Sequence, residues 1–120
     1  MDRILIVDDD SDAGEAMSEA LTSRGFEVSL AADGKRALAA LRAAENLPSL
    51  ILLDLMMPVM NGWQFRRIQL EDERLAKVPV IIVTGAVSDA SGVAQLHPFG
   101  FLKKPVVLAN LLEAVSNACA

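Results

Sequence analysis

Cysteine and histidine are nearly missing from this chain of 120 residues, which holds one of each, Cys119 and His97. A single cysteine forms no disulfide within the chain, which fits a reducing, cytoplasmic compartment. No basic neighbour in sequence lowers the Cys119 thiol toward reactivity. His97 has no second histidine or cysteine at metal-ligand spacing, so it reads as structural. Positive charge is also in short supply: 11 basic residues against 16 acidic ones leave a net charge of −5. An acidic chain repels phosphate backbones, and no direct nucleic-acid binding is expected of it. Long hydrophobic runs are absent too. The most apolar stretch, 50–60, contains Asp54 and Pro58, so nothing in it spans a membrane. The apolar start, 4–7, runs straight into acids and is too short for a secretory leader. What is present, 52% hydrophobic and 22% charged residues, is the composition of a soluble globular domain occupying 1–120.

Five short apolar runs, 4–7, 26–30, 50–53, 80–83 and 99–102, alternate with stretches of helical periodicity. Most are rich in Ile, Val and Leu and lack in/out alternation, the pattern of strands covered on both faces. Ala13, Ala16, Met17, Ala20 and Leu21 make one helical stripe that ends at Gly25. Asp33 suits the N-cap of a second helix with Ala37, Leu38 and Leu41 inward. A third opens near Asn61 and turns Phe65 and Ile68 inward, and in the last Leu108, Leu111, Leu112 and Val115 share a face. The fourth slot, 88–96, contains Gly92 and stops at His97-Pro98, so any helix there is short. Repeated β-α units predict an α/β fold, a doubly wound parallel sheet with helices on both faces. In such sheets ligands bind beyond the carboxyl ends of the strands, where strand order reverses.

The residues at those ends are Asp8 and Asp9, Asp54, Thr84 and Lys104. Crowded carboxylates repel unless a divalent cation, a lysine or both neutralise them. Mg²⁺ takes oxygen ligands, and Asp8, Asp9, Asp54 and the Met56 backbone carbonyl would supply them. A carboxylate can attack phosphorus to give an acyl phosphate. Asp54 is the candidate nucleophile, because it interrupts LILLDLMM and an acid in an apolar run is costly unless paired or functional. Lys104 and the metal would stabilise the transferring charge, with Thr84 donating its hydroxyl to a phosphoryl oxygen. Taken singly, Thr84 is a loop hydroxyl, Lys104 a surface charge, and Asp8 and Asp9 solvated loop acids. Asp10 and Asp12 read as helix caps, Asp12 with Glu15 at capping-box spacing.

Together, ILIVDDD, LILLDLMMPVMNGWQF, VPVIIVTGA and FGFLKKP resemble the receiver domains of two-component response regulators, over essentially the whole chain. The resemblance implies a five-stranded, flavodoxin-like sheet of order 2-1-3-4-5. It implies Mg²⁺-dependent phosphotransfer to Asp54 from a sensor histidine kinase or a histidine phosphotransfer protein. It maps the acid pair to Asp8 and Asp9, the hydroxyl to Thr84, the lysine to Lys104 and the switch aromatic to Phe101. In such a switch Thr84 is drawn to the phosphoryl oxygens, Phe101 turns inward, and the face that an as yet unidentified downstream protein reads is reshaped. Several positions depart from the family pattern: the segment from Thr84 to Lys104 is short, Val106 stands where an aromatic is common, and Asn61 where Asp is frequent. Pro105 is expected to follow a cis bond. Met56 and Ala86 occupy the positions that tune hydrolysis, and neither activates water, so a long-lived phosphoryl group is expected.

A haloacid-dehalogenase-type phosphatase uses the same cast but needs a second acid at the position of Met56, and a flavodoxin-like cofactor binder needs phosphate-cradling residues where DDD stands. A degenerate receiver that binds partners without phosphorylation is the remaining alternative. The reading is thus of a phospho-acceptor, not a turnover enzyme, acting as a stand-alone regulator or phosphorelay intermediate.

Overall fold

Ile4, Leu5, Ile6 and Val7 are almost wholly buried, and so are all four residues of 50–53 and all five of 80–84. Unbroken burial of β-branched and leucine side chains is what strands need when helices cover both sheet faces. In the computed structural model, which describes residues 2–85 and 92–120, five strands form one sheet. They are β1 (Arg3–Val7), β2 (Glu27–Ala31), β3 (Leu50–Leu53), β4 (Val80–Thr84) and β5 (Gly100–Lys103). All neighbours pair in parallel, in the order β2-β1-β3-β4-β5. The fold and strand order implied by the resemblance are those observed.

Four helices lie among the described residues: α1 (Ser11–Thr22), α2 (Gly34–Ala43), α3 (Gly62–Glu71) and α4 (Leu108–Ala118). Two apolar cores result, one on each sheet face. Leu38, Leu41, Phe65 and Leu75 pack on Leu5, Val7, Ile51 and Ile82 on one face. Met17, Leu21, Leu111 and Val115 pack on Ile4, Ile6, Leu52 and Ile81 on the other. Each fully buried side chain of this size contributes roughly 1.5–3 kcal/mol.

Local chemistry sets the helix ends. Asp33 caps α2 by accepting from the Arg36 amide, and Asn61 and Gln64 form a reciprocal capping box at α3. Gly25 takes a φ of +90° three residues past α1, where the Phe26 amide returns to the Leu21 carbonyl at 3.2 Å. The bond between Lys104 and Pro105 is cis.

Several expectations are corrected. The N-cap of α1 is Asp10, whose carboxylate accepts from the Asp12 and Ala13 amides; Asp12 lies within the first turn, so it forms no capping box with Glu15. The edge strands are only half covered: β2 exposes Glu27, Ser29 and Leu30, and β5 has no fully buried residue. Leu108 is 44% exposed, because the inward face of α4 is carried by Leu111 and Val115. The expected stretch 88–96 lies partly outside the described residues, and its described end is a single 3-10 turn, Val93–Leu96. His97 ends that turn with a left-handed φ of 49°.

Candidate functional site

Parallel strands present their carboxyl ends on one rim, and that rim gathers the chain's chemistry. The Asp8 amide donates to the Ala31 carbonyl at 3.0 Å and the Asp54 amide to the Val7 carbonyl at 2.9 Å, which carries sheet pairing one residue past β1 and β3. Asp8 and Asp54 therefore leave the sheet side by side, and both are buried. Asp9 is exposed beside them, and carboxylate oxygens of Asp8, Asp9 and Asp54 lie within 4.8 Å of one another.

Lys104 is the counter-charge. Its Nζ donates to Asp8 Oδ2 at 2.7 Å and to Asp54 Oδ2 at 3.0 Å. Backbone amides complete the cage: Asp10 donates to Asp8 Oδ1 at 2.9 Å and Met56 to Asp54 Oδ1 at 3.2 Å. One ammonium against three carboxylates is not balance. Burial lifts the Asp8 carboxyl above the ordinary carboxylate value, helped by the Asp54 charge and opposed by Lys104 and the Asp10 amide. Burial alone would depress the Lys104 ammonium, but its bonds to Asp8 and Asp54 outweigh that and hold it above the ordinary lysine value. A hard divalent cation suits this all-oxygen donor set, with two carboxylates already desolvated and a third open to water.

Thr84 is fully buried as the last residue of β4, and its carbonyl accepts from the Lys104 amide at 3.1 Å. Phe101 stands opposite Ile82 in the register, two residues before Thr84, so strand alternation puts Phe101 and Thr84 on the same sheet face. Phe101 is half-buried and packs against the α2–α3 core. Met56 is 63% exposed, beside Asp54. Ala86 lies outside the described residues.

Three residues of importance were not singled out in the sequence. A Cβ on Gly62 would meet the Asp54 carbonyl oxygen at 2.3 Å and Leu55 Cα at 2.7 Å, so α3 can start against the acid's backbone only with glycine there. The available signal was a glycine opening a helix directly after a capping Asn, a poor helix former without another reason to stand there. Arg66 and Gln69 are buried on the inward side of α3, three apart, where the periodicity alone calls for apolar side chains.

A doubly wound sheet with an acid cluster at its switch point and a lysine across it defines an α/β domain whose candidate site lies beyond the strand ends. Comparison with known proteins narrows it. The chain matches the response regulator receiver domain family over residues 4–116. It is 42% identical over 115 residues to the DNA-binding response regulator MtrA of Mycobacterium leprae, covering 94% of this chain and 49% of that protein. It is 36% identical over 113 residues to the transcriptional regulatory protein PrrA of Mycobacterium tuberculosis, covering 94% of this chain and 48% of that protein. The chain thus spans about half the length of these relatives. Among solved structures, the chemotaxis response regulator CheY4 of Vibrio cholerae superposes with a TM-score of 0.88 at 28% identity, covering 98% of both chains. A response regulator receiver protein from Pseudomonas putida does so with 0.88 at 32%, covering 97% of this chain and 96% of that one. This chain belongs to the response regulator receiver family. Receiver domains are signalling domains of two-component systems.

Proposed function

We propose that the domain, filling 1–120, is a phospho-acceptor switch in which Asp54 takes a phosphoryl group. The observation that carries this is the geometry of Lys104, bonded to both Asp54 and Asp8 at the end of the sheet. Asp54 Oδ1 is held by the Met56 amide and Oδ2 by Lys104, so the nucleophile is aimed before any donor arrives. Attack of an Asp54 oxygen on phosphorus forms the P–O bond of an acyl phosphate, while the donor's P–N or P–O bond breaks and its electron pair leaves with the donor. Lys104 then stands where charge gathers on the phosphoryl oxygens. Asp8, Asp9 and Asp54, with the Met56 carbonyl, would hold Mg²⁺. When bound, that ion supplies charge neutralisation for the transfer.

Thr84 offers a hydroxyl to a phosphoryl oxygen, and Phe101, on the same sheet face, follows it inward as the switch aromatic. The donor is a histidine kinase or a histidine phosphotransfer protein. An apolar cleft of about 470 Å³ beside Lys104, lined by Ala13, Met17, Pro105, Val106 and Leu108, gives such a protein a seat at the rim. Among the described residues no helix is long and apolar enough to cross a membrane. A cytoplasmic site of action and an output through a downstream protein, not through direct nucleic-acid contact, complete the reading.

Mass spectrometry after incubation with acetyl phosphate tests it. One added phosphoryl group is expected, requiring Mg²⁺ and absent in Asp54→Ala. Folded protein that takes no phosphoryl group moves the reading to a receiver that binds partners without phosphorylation.

A further inference from the structure

Arg66 is 4% exposed, and none of the ion pairs among the described residues includes it. Its guanidinium is committed to neutral acceptors instead. Nε donates to the Leu96 carbonyl at 2.9 Å, a terminal nitrogen to the His97 carbonyl at 3.0 Å, and the other to Gln69 Oε1 at 2.8 Å. The Gln69 amide spends both its N–H groups on the Leu75 and Val78 carbonyls, at 2.9 and 3.1 Å. One polar pair on α3 therefore collects the chain just before β4 and just before β5.

A cation in a core costs more than an apolar side chain unless its donors meet acceptors that nothing else serves. The acceptors here close a 3-10 turn, Val93–Leu96, that is followed by a left-handed residue. Trp63, three residues before Arg66 and so on the same side of α3, lies over the other end of the turn, where a Cβ on Gly92 would be 3.7 Å from Trp63 Cη2. Gly62, one turn before Arg66, rests against the Asp54 backbone. Asp54, α3 and segment 92–97 are thus joined in a short mechanical series.

We propose that Arg66 is a positioning residue that latches segment 92–97 to α3, and that a change at Asp54 reaches the approach to β5 and Phe101 through this latch. The second half rests on Asp54 being the acceptor; the first does not. Hydrogen exchange of the full chain tests both halves, using wild type, Arg66→Met and Arg66→Lys, each with Mg²⁺ alone and with Mg²⁺ and beryllofluoride. Without beryllofluoride, Arg66→Met is expected to exchange at least tenfold faster at the His97 and Phe99 amides, with β1 and β3 unchanged and Arg66→Lys in between. Emission from Trp63, the sole tryptophan, shifts in parallel. With beryllofluoride, wild type changes its exchange across 92–101, whereas Arg66→Met binds equally well and shows no such change. Uniform acceleration across the sheet, or none at all, overturns the latch. A wild-type response in Arg66→Met overturns its role in transmission. Should wild type bind no beryllofluoride, the acceptor reading and the transmission half fall together, and the first comparison still decides the latch. If Arg66→Met does not fold, Arg66→Lys carries that comparison, and local acceleration is still required.

Discussion

At the residue scale the acid cluster is one cation short, and Asp8 bears the cost. Its carboxyl is raised mainly by burial, so folding favours its protonated form. The sign follows from linkage: a group raised in the folded state stabilises fully below its unfolded pKa, and that stability is lost as pH rises through the folded one. Asp8→Asn, which is neutral at every pH, should therefore match wild type in acid and exceed it at neutral pH. With chelator present, the gain at pH 7 is expected at roughly 0.5–1 kcal/mol, the size typical of relieving an unfavourable charge. Urea titrations at a series of pH values check this, and an advantage that grew toward acid would refute the assignment. Asp54 was legible because a carboxylate amid leucines has few innocent explanations. Lys104 was legible only by its placement after a strand, since Lys103 beside it has the same chemistry and no partner at the site.

At the element scale, the loop from β3 into α3 holds its shape against a local backbone preference. Val59 sits at φ 68°, a conformation costly to a β-branched residue, and it is 77% exposed. Nearby, the Met60 amide closes on the Pro58 carbonyl at 2.7 Å, and the Met60 carbonyl accepts from the Gly34 amide at 3.2 Å at the start of α2. Val59→Gly removes a strain of about 1–3 kcal/mol and adds about 0.5–1 kcal/mol of unfolded-chain entropy, for a net gain near 1 kcal/mol. A higher urea midpoint with unchanged slope is the expected readout. Gly62→Ala should do the opposite. The Cβ would strike backbone, which cannot step aside, so a loss of about 2–3 kcal/mol or more is expected, with impaired phosphorylation at Asp54. Acetyl-phosphate labelling of protein shown to be folded separates the two effects. Helix starts were legible here because caps are local chemistry: Asp33 and Asn61 sit where side chain and amide are three residues apart. Between Asp10 and Asp12 the sequence offered two acceptors, and what chose Asp10 was the departure of the chain from β1. Arg66 and Gln69 were not legible, because the backbone carbonyls that accept from them lie up to 31 residues away and carry no side-chain signature.

At the scale of the whole molecule, the order of strands turns weak local signals into a site. Four residues separated by as much as 96 positions meet because every strand points the same way, and that direction was readable from alternation of apolar runs with helical stripes. Exposure at the edges was not readable, since an edge strand and a central one differ by their neighbours rather than by their own residues. The same convergence would make a metal held at this rim a folding ligand. Asp54 joins Asp8 and Asp9 only in the folded chain, so Mg²⁺ held by the three, as proposed, would bind that state alone and stabilise it by mass action. At ten times its dissociation constant the gain is about 1.4 kcal/mol, which for a domain of this size raises Tm by roughly 5 °C. Thermal scans with Mg²⁺ against chelator should show that rise in wild type. Asp9→Asn, which removes the exposed ligand while leaving the Lys104 contacts in place, should lose most of it. Asp54→Asn should lose it as well. If Asp9→Asn kept the full shift, the ion would be seated elsewhere, and the assignment of these three carboxylates as its ligands would fail. The phosphoryl group adds one further expectation at this scale. Met56 brings no acid or base to the rim, so spontaneous loss of the group should take longer than about a minute, followed as decay of the mass adduct after the donor is removed.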